Sequence, residues 1–199
     1  GMLGEPSHLA LRERLARHEV LGPRLYTSGP SLNDNSVNGA EEAARIVREQ
    51  ARAGYDFVKV HPGPTRDEYA AAARAGEESG IALAGHVPAD VGVLRALEAK
   101  QATIDHLDGN VEELVPENRR ENGGFFGLNL GDRVDRSRIP QVVAATLAAG
   151  TWNVPTQTLI EHWPAPSPTV DELLARPEMA YVPAELRNQW AGAKRQMTS

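Results

Sequence analysis

Short apolar runs alternate with segments of helical character through the middle of the chain. The runs span residues 55–60, 81–87 and 102–107, and the segments between them span residues 65–79 and 89–101. Apolar runs of this length between turn residues are typical of buried strands, whereas the longer segments have the length of helices. Because alternating strands and helices build βαβ units, this part of the chain predicts a parallel sheet.

The segments on either side continue the alternation. Helices are predicted at 7–21, 41–53, 139–149, 170–175 and 183–194, and two more strands at 24–28 and 151–156. The predicted fold class is therefore α/β, with about five parallel strands and intervening helices. Since a chain of 199 residues with 41% hydrophobic content can bury one substantial core, we predict a single domain over residues 1–199.

A polar stretch at residues 110–138 interrupts this pattern. It contains Gly123-Gly124 and two adjacent aromatic residues, Phe125 and Phe126. A long insertion after a strand often forms a lid or a pocket wall, because active-site loops follow the carboxyl ends of parallel strands. A disordered segment is the alternative interpretation.

Three of the predicted strands carry or precede a side chain that could hold a metal: Lys59, His86 and His106. The carboxyl ends of parallel strands meet at one rim, so these residues are expected to converge there. Lys is rare in this chain, and a buried Lys can lose its proton whereas Arg cannot. A structural lysine paired with a carboxylate, and histidines that only form hydrogen bonds, are the alternatives.

Three further residues are candidates for contact with a substrate or with a metal ligand. His61 lies two residues after Lys59 and shares its side of the strand. Asp108 returns to the side of His106, whereas Asp105 is expected to point to the opposite side. Gln157 follows the last predicted strand. A loop histidine without such a role remains the alternative for His61.

Composition excludes several classes of function. The net charge of −6 and the scattered basic residues are unlike those of nucleic-acid-binding proteins. Without cysteine, thiolate catalysis and cysteine-ligated metals are excluded. No apolar run approaches the ~20 residues of a membrane helix, and no secretion signal is evident. A cytoplasmic location is favoured, and secretion stays open if the natural N-terminus lies upstream.

The chain resembles the amidohydrolase superfamily, specifically its imidazolonepropionase-like and prolidase-like metal-dependent hydrolases. The resemblance covers residues 9–159 and rests on the segments GPRLYTSG, GYDFVKVHPG, IALAGHVPADVG, ATIDHLDG and TWNVPTQTL. It implies a (β/α)8 TIM-type barrel in which Lys59 is carboxylated and bridges two metals, with His86 and His106 as further ligands. Zn²⁺ is the divalent metal expected for this donor set.

Two features of the family are missing from the sequence. No His-x-His pair occurs, and no aspartate follows an eighth predicted strand. The chain therefore resembles strands three to seven of an incomplete barrel, with ligands for about one metal and without the family's general base. We expect a fragment or truncated form that lacks full activity.

The resemblance predicts hydrolysis of a C–N bond in a peptide-like substrate or a small molecule such as a cyclic amide. A non-catalytic binding or scaffold protein derived from half a barrel is the alternative, and metal content discriminates the two. A nucleotide-binding domain is disfavoured because no Gly-rich phosphate loop follows a strand. Since five strands cannot close an eight-stranded barrel, a homo-oligomer is also expected.

Overall fold

The computed structural model describes residues 4–198, apart from the side chain of Phe125. The chain forms two compact units, Gly1–Pro155 and Thr156–Ser199. The single domain expected over residues 1–199 stays a prediction, because compact units within a chain can belong to one folding domain.

A parallel sheet of four strands organises the first unit. The strands are β1 (Phe57–Val60), β2 (Ala82–Gly85), β3 (Thr103–Asp105) and β4 (Trp152–Val154), in the spatial order β1-β2-β3-β4. Its helices are α1 (Ser7–Ala16), α2 (Ala40–Ala53), α3 (Arg66–Ser79), α4 (Val93–Glu98), α5 (Asn110–Glu113) and α6 (Ile139–Ala149). Because helices alternate with parallel strands, the architecture is that of a partial (β/α) barrel.

The hydrophobic core lies between the sheet and the helices. Val58 and Val60 of β1 and Ile104 of β3 are fully buried in it, together with Val47 of α2 and Ala96 of α4. Successive strand residues point to opposite faces. Lys59 and Asp105 therefore lie on the other face of the sheet, which we call the inner face.

The helix predicted at 7–21 ends at Ala16, and the strand predicted at 24–28 does not form. The chain there makes only two isolated parallel bridges to β1, Ser28 to Phe57 and Leu32 to Val60. Gly29-Pro30 lies between the bridged residues, and proline has no backbone N–H for a ladder. The sheet thus has four strands flanked by a bridged segment, where five strands were predicted.

The polar stretch at 110–138 is folded into α5 and three 3₁₀ segments, Glu117–Arg119, Phe125–Arg133 and Arg136–Arg138. Val115 and Leu130 are fully buried within it. Glu113 pairs with Arg120 at 3.4 Å and with Arg138 at 2.9 Å. The second ion pair connects the two ends of the stretch.

The second unit consists of α7 (Gln157–His162), α8 (Val170–Leu174), a 3₁₀ segment (Pro177–Tyr181) and α9 (Ala184–Thr198). Within the described residues, no helix combines the length and the apolar character needed to cross a membrane.

Candidate metal and active site

Three histidines stand at the carboxyl edge of the sheet, each one residue beyond a strand. The backbone N–H of His61 donates to Leu32 O (2.8 Å), that of His86 to Val60 O (3.0 Å) and that of His106 to Val154 O (2.8 Å). These bonds continue the parallel ladder past the strand ends. The sheet itself therefore fixes the backbone from which each imidazole projects.

Gly85, the last residue of β2, lets the Lys59 side chain pass close to the backbone. Its φ of +120° is rarely adopted by other residues, and a Cβ at this position would lie 2.9 Å from Lys59 Nζ and 2.5 Å from Val60 O. The group that needs the space beside Gly85 is thus the Lys59 side chain.

Lys59 forms a buried ion pair with Asp105. Its Nζ donates to Asp105 Oδ2, and the two side chains are only 3% and 7% exposed. The burial of Asp105 alone would raise its pKa, but the hydrogen bond and the charge of Lys59 outweigh this, and the pKa lies below its ordinary value. The carboxylate is therefore ionised at neutral pH.

Asp105 lies on the same side as His106, contrary to the expected alternation. β3 ends at Asp105, and His106 adopts a left-handed backbone with φ 57°, as does Leu107 with φ 61°. Because strand alternation holds only for extended residues, the turn brings His106 back toward the side of Asp105. Sequence reasoning missed Asp105 for this reason.

His86 is held by Asp108. Asp108 Oδ2 lies 2.7 Å from His86 Nδ1 and also accepts the backbone N–H of Val87 at 3.3 Å. A carboxylate that accepts from Nδ1 fixes the tautomer in which Nε2 can bind a metal, and it orients the ring. Asp108 Oδ1 is buried without a hydrogen-bond partner among the described residues.

Four aromatic rings form a continuous row across the rim. The ring centroids of His61 and His86 are 4.9 Å apart, those of His86 and His106 are 4.8 Å apart, and Phe126 stacks on His106 at 4.6 Å. Phe126 comes from the 110–138 stretch, which thus contributes to the wall of the site. The side chain of neighbouring Phe125 lies outside the described part of the chain.

Burial keeps two of these imidazoles neutral. It lowers the pKa of His61, assisted by His86 and Lys59. It also lowers the pKa of His106, assisted by His86. Neutral imidazole is the form that binds metals.

The side chains at the rim include a donor set that suits a divalent metal. His86, Asp105 and His106 each offer a ligand atom, and these atoms lie within 4.8 Å of one another. Two imidazoles and one carboxylate form a set typical of zinc sites with an open position. Asp105 pairs with the Lys59 ammonium and Asp108 with the His86 imidazole, so the rim carries two carboxylates and one ammonium. The resulting excess of negative charge favours a cation.

The residues expected to form the site thus divide into two groups. Lys59, His61, His86, His106 and Asp108 lie together at the rim of the first unit. Gln157 begins α7 in the second unit, where its Nε2 donates to Glu161 Oε1 at 3.1 Å. Its role in substrate binding stays a prediction, as does carboxylation of Lys59.

The fold matches those of several solved hydrolases. A bottromycin amidohydrolase is 21% identical over 98% of this chain and 46% of its own, with a TM-score of 0.57. A Xaa-Pro dipeptidase is 18% identical over 98% of this chain and 48% of its own (TM-score 0.53). The ochratoxinase of A. niger is 15% identical over 98% of this chain and 47% of its own (TM-score 0.54). No protein-family model matches the sequence, and neither does any curated protein.

These matches establish the fold. Amidohydrolases and prolidases recur among them, so the chain has the fold of these solved structures, which is the fold that the sequence resemblance predicts. The chain spans about half the length of each of these structures. Both this partial coverage and the four-stranded sheet indicate an incomplete barrel.

Proposed function

We propose that the chain carries part of the active site of a metal-dependent hydrolase that cleaves a C–N bond in an amide, a peptide-like compound or a cyclic amide. The observation that carries this proposal is the cluster of His86, Asp105 and His106 at the carboxyl edge of a parallel sheet. The solved structures of the same fold support it, since their names include amidohydrolases and a dipeptidase.

Three side chains of the chain would hold the metal. His86 and His106 supply neutral nitrogens, and Asp105 supplies an anionic oxygen. Lys59, once carboxylated, would supply a second anionic group. Such a metal, most simply Zn²⁺, would lower the pKa of water and polarise a substrate carbonyl.

Asp105 is the neighbour of Lys59, and its charge affects whether Lys59 stays an amine or becomes carboxylated. In the described structure its partner is the Lys59 amine. Carboxylation would turn Lys59 into an anion beside a buried carboxylate, and two adjacent buried anions are strongly unfavourable without a cation between them. We therefore expect carboxylation of Lys59 and metal binding to depend on each other.

The remaining rim residues would orient the ligands and the substrate. Asp108 fixes the His86 ring through Nδ1. Phe126 covers one face of His106. His61, in edge contact with His86, would meet a polar group of the substrate. The sequence contains no His-x-His pair, so we expect one metal per chain and slow turnover by these 199 residues alone.

Metal titration separates this proposal from a binding or scaffold protein. Isothermal titration of the chelator-treated chain is expected to show one tightly bound zinc. His86→Ala and His106→Ala should each weaken binding by at least 10-fold, since each removes one of few ligands. His8→Ala is the matched control, because His8 contacts Thr27 Oγ1 at 3.2 Å and not the rim. A chain that binds no zinc, or that loses affinity equally in all three variants, would support the scaffold interpretation.

Hydrolysis is tested with the same proteins. Zinc-dependent formation of a free amino group from N-acyl amino acids, Xaa-Pro dipeptides and cyclic amides, the last by ring opening, is expected for the wild-type chain and for His8→Ala. The rim variants should form none. Hydrolysis that persists without zinc would contradict a metal-dependent reaction.

A further inference from the structure

Gln101 is the centre of a buried hydrogen-bond network behind the rim. The residue is only 1% exposed. Nε2 donates to the carbonyl oxygens of Gly85 (3.2 Å), His86 (3.2 Å) and Thr103 (2.8 Å), and Oε1 accepts from Tyr69 OH at 2.8 Å. Burial raises the pKa of Tyr69, so its hydroxyl stays a donor.

This network acts where the regular sheet ends. The paired residues of β2 and β3 are Ala84 with Thr103 and Gly85 with Ile104, so His86 lies one residue beyond the last pair. The backbone carbonyl of His86 nevertheless accepts a hydrogen bond from Gln101 Nε2, which also donates to the carbonyl of Thr103 in β3. Gln101 therefore ties the exit of β2 to β3 at the point where the pairing of these two strands ends.

We infer that Gln101 is a positioning residue for His86. The His86 backbone is fixed on two sides: its N–H donates to Val60 O and its carbonyl accepts from Gln101. A fixed peptide sets the direction in which the imidazole leaves the chain, and Asp108 then sets the rotation of the ring. Gln101 touches neither substrate nor metal and acts through His86. This role rests on the proposed metal site.

Gln50 provides a matched control within the same unit. It is also a buried glutamine, 5% exposed, that bridges two backbone groups: Oε1 accepts from Gly29 N at 3.2 Å and Nε2 donates to Pro30 O at 2.7 Å. Replacing either glutamine by leucine removes its hydrogen bonds to the backbone and lowers stability. Of the two, Gln101 is the one with a described hydrogen bond to a residue of the proposed metal site, the backbone carbonyl of His86.

The experiment compares Gln101→Leu with Gln50→Leu by zinc titration. Gln101→Leu is expected to weaken zinc binding about 10-fold or more, as loss of a ligand's supporting partner does. Gln50→Leu should bind like wild type although it is also less stable. Equal zinc affinity in the two variants would show that Gln101 serves only stability. If Gln101→Leu does not fold, Tyr69→Phe replaces it and should weaken binding in the same direction by a smaller factor.

Amide hydrogen exchange gives a readout that does not need the metal. The backbone N–H groups of His86 and Val87 should exchange at least 10-fold faster in Gln101→Leu and at the wild-type rate in Gln50→Leu. Unchanged exchange at both residues would overturn the inference. A wild-type chain that binds no zinc would contradict the proposed function, and the exchange comparison would still decide the role of Gln101.

Discussion

Lys59 and Asp105 place two opposite charges on the buried inner face of the sheet. They are a buried ion pair, and such pairs contribute little net stability compared with apolar residues of similar size. Removing one partner, in contrast, costs about 3–5 kcal/mol because a buried charge is left alone. A pair that adds little to stability, placed beside three imidazoles, is better explained by chemistry at the rim than by folding.

The carboxylation of Lys59 gives a prediction at the scale of one side chain. Added bicarbonate should strengthen zinc binding to the wild-type chain, because it supplies the carbon dioxide that converts the amine into an anionic ligand. Lys59→Ala and Lys59→Arg should show no bicarbonate effect, since methyl and guanidinium groups cannot accept carbon dioxide, and they should bind zinc more weakly than the wild-type chain does with bicarbonate. Isothermal titration measures both effects.

Lys100→Ala is the control for this prediction. Lys100 is exposed and follows α4, so its removal should leave both the affinity and the bicarbonate effect unchanged. The same zinc affinity in wild type, Lys59→Ala and Lys59→Arg would return Lys59 to the role of a structural residue paired with Asp105.

Individual residues also show where sequence reasoning stops. The positions of Lys59, His86 and His106 at one rim follow from the strand pattern, because parallel strands end at the same edge. The part played by Asp105 does not, since it depends on the left-handed backbone of His106. The stacking of Phe126 depends on how a stretch without strands folds. Neither feature has a periodic signal.

Among the elements, α3 begins with side-chain hydrogen bonds that also reach the start of α2. Thr65 and Glu68 form a reciprocal capping box, and Glu68 Oε1 also accepts the backbone N–H of Gly39 at 2.8 Å, just before α2. The backbone hydrogen bonds from Thr65 and Gly39 lower the pKa of Glu68. One carboxylate thus holds the starts of two helices that pack on the same sheet.

This carboxylate predicts a pH-dependent contribution to stability. Because the folded-state pKa of Glu68 is depressed, its contribution is present above the unfolded value and is lost as the pH falls through the folded one. Glu68→Gln should lower the free energy of unfolding by less than about 1 kcal/mol at neutral pH, because a neutral amide oxygen accepts weaker hydrogen bonds and solvent screens this partly exposed side chain. The difference should shrink below about pH 4. Urea unfolding at several pH values measures it.

Glu77→Gln, an exposed substitution on the same helix, should have little effect at any pH. A deficit for Glu68→Gln that stays constant down to pH 3 would mean that the charge of Glu68 plays no part. At that pH, about one unit below the ordinary pKa, the carboxylate of the unfolded chain is largely protonated and a contribution from charge must have decreased.

The elements were predictable where caps and apolar periodicity agree. α6 spans Ile139–Ala149, the range that the sequence predicts, because Gly150 ends it in a left-handed conformation. The strand predicted at 24–28 does not form. Its prediction rested on a short apolar segment alone, with no second indication such as a cap residue. Leu25 and Tyr26 lie outside the core, and only Ser28 and Leu32 bridge to β1.

For the molecule as a whole, the open side of the first unit is the feature with the largest consequence. β4 is the last strand of the sheet, and all three of its residues are exposed. Trp152 is 75% exposed and Leu147 of α6 is 76% exposed. An unpaired strand edge next to large exposed apolar side chains favours association.

We therefore expect these 199 residues to self-associate at micromolar concentration, with a mass by light scattering that rises with concentration. Trp152→Ser should reduce the association because it removes the largest exposed apolar side chain of β4. Trp190→Ser, which changes a half-exposed tryptophan of the second unit, should not. A concentration-independent monomer would show that the edge of β4 is tolerated without a partner.

A divalent metal held by His86, Asp105 and His106 would be visible by diffraction at the zinc absorption edge from crystals of the zinc-loaded chain. We expect an anomalous peak about 2.0–2.2 Å from a ring nitrogen of both His86 and His106 and from an oxygen of Asp105. A zinc peak at His8 or His18 with none at the rim would contradict this assignment.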